Sequence, residues 1–398
     1  MTSLPTGWQL VPLESLVKEA LSGFASGKRD ANGTIQVRMN NVTTGGNWDW
    51  SKVLRVPASE KQYTKYRLEA GDVLVNTTNS PNLVGKTVYF FDSHETLVFS
   101  NHFVRLRLKH DKIDPDYLRR WLNVLWNRRV FQGLCTQWVN QASVRKEDLL
   151  ALHIPLPPLE DQRRIATILN KADAVRRKRQ EAIALTEELL RSAFLEMFGD
   201  PITNSKGWHT KQLGDLAQFV GGGTPSRQKS EYYQGGVCWA TPKDMRVDVL
   251  TDTEEHITPE AIKQSATKLV GIGSLLVVVK SKVLARRLPI ARTIVPTCFG
   301  QDLKAVIPYE AAITRYLHRH IKYGEQTLLQ LARGINTEGL TLEHLRNYQV
   351  MIPPASEVAR FVQLDSVLEN AKNKQKAFLD KSTNLFNSLL QRAFRGEL

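Results

Sequence analysis

Asn140-x-x-x-Val144-x-x-Glu147-x-Leu149 runs on into Ile154-Pro155-Leu156-Pro157-Pro158, and the pattern returns 196 residues later. Its second appearance is Asn336-x-x-x-Leu340-x-x-Glu343-x-Leu345, followed by Val350-Met351-Ile352-Pro353-Pro354. Working outward, Gly7-Trp8 with Leu13 and Leu16 recurs as Gly207-Trp208 with Leu213 and Leu216. Leu189-Leu190-x-x-Ala193-Phe194 recurs as Leu389-Leu390-x-x-Ala393-Phe394. Matches in one order at a nearly constant offset mark a tandem duplication.

Each half divides at its Pro-Pro pair. Residues 1–158 and 201–354 are rich in Gly, Trp and β-branched runs such as Asp72-Val-Leu-Val75 and Leu275-Leu-Val-Val-Val279. Such runs between turn signals predict short strands, with a few helices such as 115–129. Beyond each Pro-Pro pair, 159–200 and 355–398 read as long helices, with no Gly or Pro inside 159–198 or 355–395. Each helix would run for ~35–40 residues, or roughly 55 Å. Ile165, Ile168, Ala172, Val175, Ala182, Ile183, Leu189 and Leu190 form an apolar stripe on the first. On the second, Phe361, Leu364, Leu368, Ala371, Gln375, Phe378, Ser382, Leu385 and Leu389 alternate steps of three and four. That is coiled-coil spacing and predicts that the helices pack on each other. Because the offset changes from 196 to 200 within them, the second helix is expected to be about one turn longer. The predicted fold class is α+β: two tandem mixed α/β domains joined by two long helices, with a pseudo-two-fold internal repeat.

The 398 residues suit two to four structural units, and 42% hydrophobic with 24% charged is a globular composition. No apolar run approaches the ~18 residues needed to span a bilayer. The opening Met1-Thr-Ser-Leu-Pro-Thr-Gly-Trp8 has no basic segment leading into an apolar one, so no secretion signal is expected. Cys135, Cys238 and Cys298 are odd in number and far apart, which predicts neither a disulfide framework nor a cysteine-rich zinc site and suits a reducing cytoplasm. The net charge of +14 points to a polyanionic partner, most often nucleic acid. Residues 1–158 hold 20 basic and 14 acidic side chains and 201–354 hold 19 and 13, so the excess lies equally on the two globular segments. Those segments are the expected readers of nucleic acid, and the helices the frame.

No catalytic constellation is legible. Gly23-Phe-Ala-Ser-Gly27-Lys28-Arg29 has too few residues between its glycines for a P-loop and lacks the hydroxyl that would ligate Mg²⁺. Gly221-Gly-Gly-Thr-Pro-Ser-Arg227 fits either a turn offering amides and Arg227 to a phosphate or a plain surface turn. His318 and His320 sit on a predicted helix, where i and i+2 point apart, so they form no metal pair. The amino-methyltransferase signature and the Gly-x-Ser-x-Gly elbow are both missing. The sequence reads as a binder, with no metal and no cofactor of its own expected.

Two basic modules on a rigid spacer could touch two DNA segments about one helical turn (~34 Å) apart. Because the halves share a pattern but few side chains, those segments should differ, giving a bipartite, asymmetric site. In this arrangement the chain resembles the specificity (S) subunits of type I restriction–modification systems. The resemblance rests on Gly7-Trp8, Gly207-Trp208, Asn79-x-x-Asn-Leu-Val-Gly-Lys86 and Gly221-Gly-Gly-Thr-Pro-Ser-Arg227. It rests equally on Ile154-Pro-Leu-Pro-Pro-Leu-Glu-Asp-Gln-Arg-Arg-Ile165 and Ala393-Phe-Arg-Gly-Glu-Leu398. The resemblance implies two target recognition domains, each reading half of a split site in double-stranded DNA, on long helices packed as an antiparallel coiled coil. It further implies two methyltransferase (M) subunits docked on the helices and motor-nuclease (R) subunits joined through them. Those partners would use S-adenosylmethionine, ATP and Mg for adenine methylation or cleavage, while this chain itself would not be an enzyme.

The family does not fix the base-reading residues, so they are chosen by chemistry. Arg and Lys suit guanine, Asn and Gln suit adenine, and Ser, Thr and backbone amides hold phosphates. In the first domain these are Arg38, Asn40, Asn41, Asn76, Thr77, Thr78, Asn79, Lys86, Asn101 and His102; in the second, Thr224, Ser226, Arg227, Lys243, Lys280, Ser281, Lys282, Arg286 and Arg287. Arg176-Arg-Lys-Arg179 on the first helix suits either the DNA backbone or a solvated face. Two other readings stay open: a self-contained nucleic-acid enzyme with an unrecognised site, and a coiled-coil adaptor whose charge is incidental.

Overall fold

A computed structural model describes residues 4–93, 95–137, 141–334 and 337–398, with the backbone alone at 333, 334, 337 and 338. The repeat anchors Asn140 and Asn336 lie outside the described residues. The chain forms two compact units: one holds the residues up to 178 together with 378–398, the other 179–377.

In the first unit, strands β1 (Val17–Ser22), β2 (Val73–Asn76), β3 (Thr87–Tyr89) and β4 (Phe103–Leu108) form an antiparallel sheet in the order β1-β4-β2-β3. All four residues of β2 are buried, because both faces of this sheet are covered. A smaller sheet centres on Thr34–Val37, antiparallel to Arg55–Val56 and parallel to Leu97–Phe99. Helix α1 (Pro115–Asn127) starts on Asp114, whose carboxylate accepts from the amides of Asp116 and Tyr117, with Pro115 in the first turn. The 40-residue α2 (Leu159–Phe198) follows.

The second unit repeats this plan. Strands β5 (Ala217–Gly221), β6 (Val249–Leu250), β7 (Leu275–Val278), β8 (Ile290–Thr293) and β9 (Leu303–Pro308) lie in the order β5-β9-β7-β8-β6. Its first four positions reproduce the first unit's sheet, and β6 is added parallel to β8. Val237–Ala240 again runs antiparallel to one short strand, Glu255–Ile257, and parallel to another, Thr297–Phe299. Helices α3 (Thr314–Tyr323) and α4 (Ala355–Ala393) complete it. The two sequence halves have diverged, but apart from β6 the pairing of these strands has not.

Within each unit the two long helices run in opposite senses. In the first, Arg164 of α2 donates to the Leu398 carbonyl at 2.9 Å and Arg176 lies over the Phe386 ring at 5.0 Å. In the second, Arg179 donates to Gln375 at 2.8 Å, and Phe194 and Phe361 meet edge to face with centroids 5.3 Å apart. Core residues of the first unit therefore include Ile165 and Leu169 of α2 and Phe386 and Ala393 of α4 beside Val73, Leu106 and Tyr117. Those of the second include Leu190, Phe194, Phe198 and Phe361 beside Leu275, Val277 and Tyr316. Burying each of these phenylalanines contributes about 1.5–3 kcal/mol.

Two helical expectations are corrected. Val175, Leu189, Phe378 and Leu385, placed on the apolar seams by spacing, are about half exposed. In their stead Asp173, Asp365, Glu369 and Lys372 are buried, because the domains cover a flank of the helices and supply counter-charges. The Arg319 guanidinium lies 2.7 Å from Asp365, Arg315 bridges Asp365 and Glu369 at 2.7 and 3.1 Å, and Arg292 holds Glu369 at 2.8 Å. Second, α4 has 39 residues against 40 for α2, so it is not a turn longer. The four residues gained before Leu389 are outweighed by five lost after Ala393: α2 continues to the left-handed Gly199, whereas α4 stops short of the left-handed Gly396. Among the described residues, no helix is long and apolar enough to cross a membrane.

Candidate nucleic-acid interface

In the first unit, loops distant in sequence converge on a cleft of about 610 Å³ lined by Arg38, Asn40, Asn79, Lys86, Asn101 and His102 together with Ser26 and Gln36. The parallel pairing of Thr34–Val37 with Leu97–Phe99 causes this, since both strands then deliver their following loops to the same end. The loop after β2 joins them, because Thr77 donates its amide to the His102 carbonyl at 2.9 Å. Gly23 permits the approach: a Cβ there would stand 2.4 Å from the carbonyl oxygens of Phe99 and Ser100.

The chosen residues split into two kinds. Asn40 and Asn101 are exposed, and Arg38, Thr78, Asn79 and His102 are half-buried. Asn41, Asn76, Thr77 and Lys86 are buried braces. Asn41 donates to the carbonyls of Asp49 and Lys52 at 3.0 and 2.8 Å. Asn76 donates to the Thr78 and His102 carbonyls at 3.1 and 2.9 Å, and its own oxygen accepts from Asn79 at 2.6 Å. The Lys86 ammonium is spent on the carbonyls of Met39 and Val42, at 2.7 and 2.5 Å, and burial lowers its pKa. Gly85 makes this reach possible; it has φ +92°, and a Cβ there would enter the Phe131 ring. Burial and the neighbouring Arg38 lower the pKa of His102, which favours a neutral imidazole that can both donate and accept.

Strand register carries the arrangement into the second unit. Val37 and Ala240 hold the same place, opposite Phe99 and Phe299, so Asn40 corresponds to Lys243, Asn101 to Gln301 and His102 to Asp302. Val279 and Lys280 donate their amides to the Asp302 carbonyl at 2.8 and 3.3 Å, as Thr77 and Thr78 do to that of His102. Thr78 and Asn79 thus correspond to Lys280 and Ser281. Gly222 corresponds to Gly23, with a Cβ only 2.2 Å from the Gly300 oxygen. Thr224, Ser226, Lys243, Lys280 and Lys282 are exposed, while Ser281 is half-buried and caps the short helical turn Lys282–Ala285.

Three arginines are set differently. Arg227 is clamped by Glu255 at 2.6 and 2.8 Å and lies over the rings of Tyr233 and Trp239 at 4.3 and 5.0 Å. Arg286 and Arg287 follow the Lys282–Ala285 turn, and Arg287 lines a different cleft, with Glu187, Glu188, Arg191 and Lys322. The residues chosen from sequence omit Gln301 and Asp302, although the 200-residue offset of Gly7 and Gly207, with Phe99 on Phe299, already leads to them. Of the helical cluster, Arg176 and Arg177 pair with Asp173 at 2.6 and 3.5 Å. His318 and His320 are core residues; the latter accepts from the Met351 amide at 3.1 Å.

Two duplicated domains, each gathering amide, hydroxyl and cationic side chains on converging loops and each standing on long helices, define a recognition scaffold. The type I restriction modification DNA specificity domain matches this chain over residues 5–186 and 205–381, and the chain belongs to that family, the specificity subunits. It is 30% identical over 281 residues to the EcoR124I/EcoR124II specificity subunit of Escherichia coli, a match spanning 69% of this chain and 65% of that subunit. It is 21% identical over 408 aligned positions to a protein ascribed to the MjaX type I restriction enzyme of Methanocaldococcus jannaschii as its specificity subunit, spanning 97% and 93%. Its fold is similar to that of the S subunit from M. genitalium, with a TM-score of 0.65 at 14% identity over 99% of this chain and 97% of that one. A chain solved in work on complex assembly and conformational transition of the type I R-M system gives a TM-score of 0.53 at 21% identity, covering 100% of each.

Proposed function

We propose that this chain is the non-catalytic, DNA-reading subunit of a type I restriction–modification complex and that each domain reads one half of a split, asymmetric site. The observation that carries this is the set of converging loops that strand register repeats in both units, built from different side chains. Arg38, Asn40, Asn79, Asn101 and His102 face the cleft in the first, and Thr224, Lys243, Lys280, Ser281, Gln301 and Asp302 stand at the corresponding loops of the second. Arg and Asn side chains suit guanine and adenine edges, and a carboxylate at Asp302 suits the cytosine amino group. Buried Asn41, Asn76, Thr77 and Lys86 shape the loops and do not read.

On this reading the helices carry two methyltransferase subunits, with motor-nuclease subunits joining through them. The half-exposed Val175, Leu185 and Leu189 of α2 and Val367, Phe378 and Leu385 of α4 support that docking. S-adenosylmethionine, ATP and Mg would be used by the partners, in the cytoplasm. Methylome sequencing of a host expressing the cognate methyltransferase subunit, with and without this chain, tests the reading. A split motif methylated at adenine on both strands only when the chain is present is the expected result; an unchanged methylome with both proteins expressed refutes it.

A further inference from the structure

The second unit holds a group of chemistry-bearing side chains that the DNA reading does not use. Cys238 and His256 stand directly opposite each other on the antiparallel strands Val237–Ala240 and Glu255–Ile257. Asp252, in the connection before the second of these strands, completes the group. Its carboxylate lies 2.8 Å from the His256 Nε2 and 3.6 Å from the Cys238 Sγ. One ligand atom from each of the three lies within 4.8 Å of the others, and the trio grades from buried Cys238 through half-buried His256 to exposed Asp252.

We propose that Cys238, Asp252 and His256 bind a divalent transition metal, with zinc the best fit, and that water completes the tetrahedron. The chemistry selects the metal. One thiolate, one imidazole and one carboxylate suit Zn²⁺, whereas Mg²⁺ and Ca²⁺ require oxygen donors. The size agrees as well: ligand atoms about 2.0–2.3 Å from a tetrahedral Zn²⁺ stand roughly 3.3–3.8 Å apart. The 3.6 Å between sulfur and carboxylate needs no adjustment, and the imidazole and carboxylate, 2.8 Å apart, need to part by about half an ångström.

The place in the fold gives the metal a task. Trp239 follows Cys238 and is paired across the strands with Glu255, and those two side chains hold Arg227 by stacking and by a two-pronged ion pair. A metal on the neighbouring pair would pin the two strands and fix that arrangement. The first unit has no such site at the equivalent place, where Ile35 faces Arg55. The inference stands on the ligand set and does not depend on what Arg227 contacts.

Titrating the full-length chain under reducing conditions with Co²⁺, a spectroscopic substitute for zinc, tests it. The expected result is one equivalent bound with a thiolate-to-cobalt charge-transfer band that Zn²⁺ abolishes. Cys238→Ser should remove the band. Asp252→Asn and His256→Gln, which alter the more exposed ligands, should weaken binding tenfold or more while the circular dichroism stays unchanged. A folded chain with no such band, a band of full strength in Cys238→Ser, or wild-type affinity in both of the other variants overturns the proposal.

Discussion

Phe394 lies tilted against Tyr117 with ring centroids 5.2 Å apart, and Phe194 stacks on Tyr316, at the equivalent place of the second unit, at 5.9 Å. Each phenylalanine belongs to a Leu-Leu-x-x-Ala-Phe motif closing a long helix, and each tyrosine donates its hydroxyl to the strand that leads into a long helix. Tyr117 reaches the Pro155 carbonyl at 2.6 Å and Tyr316 that of Met351 at 2.8 Å. The motif ending one half of the sequence thus completes the core of the other half's domain. Phe194→Ala is expected to cost the second unit about 3–5 kcal/mol in chemical denaturation. Phe394→Ala, at a less buried ring, should cost the first unit less.

A second expectation concerns the buried charges. Burial alone would raise the Asp248 carboxyl, yet Lys322, Arg319 and Lys372 around it hold its pKa far below the usual range. Replacing Arg319 by Ala leaves Asp365 to Arg315 and Asp248 to Lys322 and Lys372, and should lower stability by about 1.5–3 kcal/mol. Arg145→Ala, which breaks the exposed pair with Asp148, should leave the unfolding midpoint unmoved. An Arg319→Ala variant as stable as the parent would show that the network is not needed to seat the domain on its helices.

The same region sets a pH dependence. Burial lowers the pKa of His318 and of His320 to about 3 in each case. Above pH ~6.5 the imidazoles are neutral whether the chain is folded or not, and they contribute nothing to the slope. Below that pH the unfolded chain takes up protons that the folded core refuses. Stability should therefore fall as the pH drops from 6.5 towards 3, by about 1.4 kcal/mol per pH unit for each histidine. Denaturation midpoints at pH 7, 6 and 5 measure this before most carboxylates titrate, and His320→Gln should roughly halve the slope.

Much of this architecture is legible in the letters, and the reason is physical. Pro157-Pro158 and Pro353-Pro354 cannot continue a strand ladder, and the Gly- and Pro-free stretches after them can only be long helices, so these boundaries survive divergence. The seam on α4 was misread because Phe378 and Leu385 carry the heptad spacing, while the burial of Asp365, Glu369 and Lys372 depends on arginines as far away as Arg292. The cleft was half legible. Arg38, Asn79 and His102 suit base edges by chemistry and do converge, but nothing local separates an exposed residue such as Asn40 from a brace such as Asn41. That distinction lies in the turn ending at Lys52, whose carbonyl takes the Asn41 amide.

For DNA binding, the two kinds of residue should behave differently. Asn40→Ala is expected to relax preference at one base pair, with a loss of about 1–3 kcal/mol for the cognate site and little change for others. Changing Arg286 and Arg287 together to Ala should weaken binding to the cognate site and lessen its dependence on salt. The log–log slope should drop by about 2 if both contact phosphates. Affinities across a salt series for the complex with its methyltransferase subunits measure both effects; unchanged affinity of the double variant removes that turn from the interface.

Pro5 packs on Gly396, so closely that a Cβ on the glycine would stand 2.2 Å from the proline ring. The start of the first domain therefore adjoins the end of the last helix, much as the turn at Gly199 and Asp200 carries the first helix into the second domain. In connectivity the chain is a loop of two equal links, open at one joint and closed at the other. A circular permutant with its old ends tied by a short peptide and its new ends placed at Gly199 should fold and read the same site. Failure of that permutant to fold would show that the order of the two domains along the chain matters beyond the contact of Pro5 with Gly396.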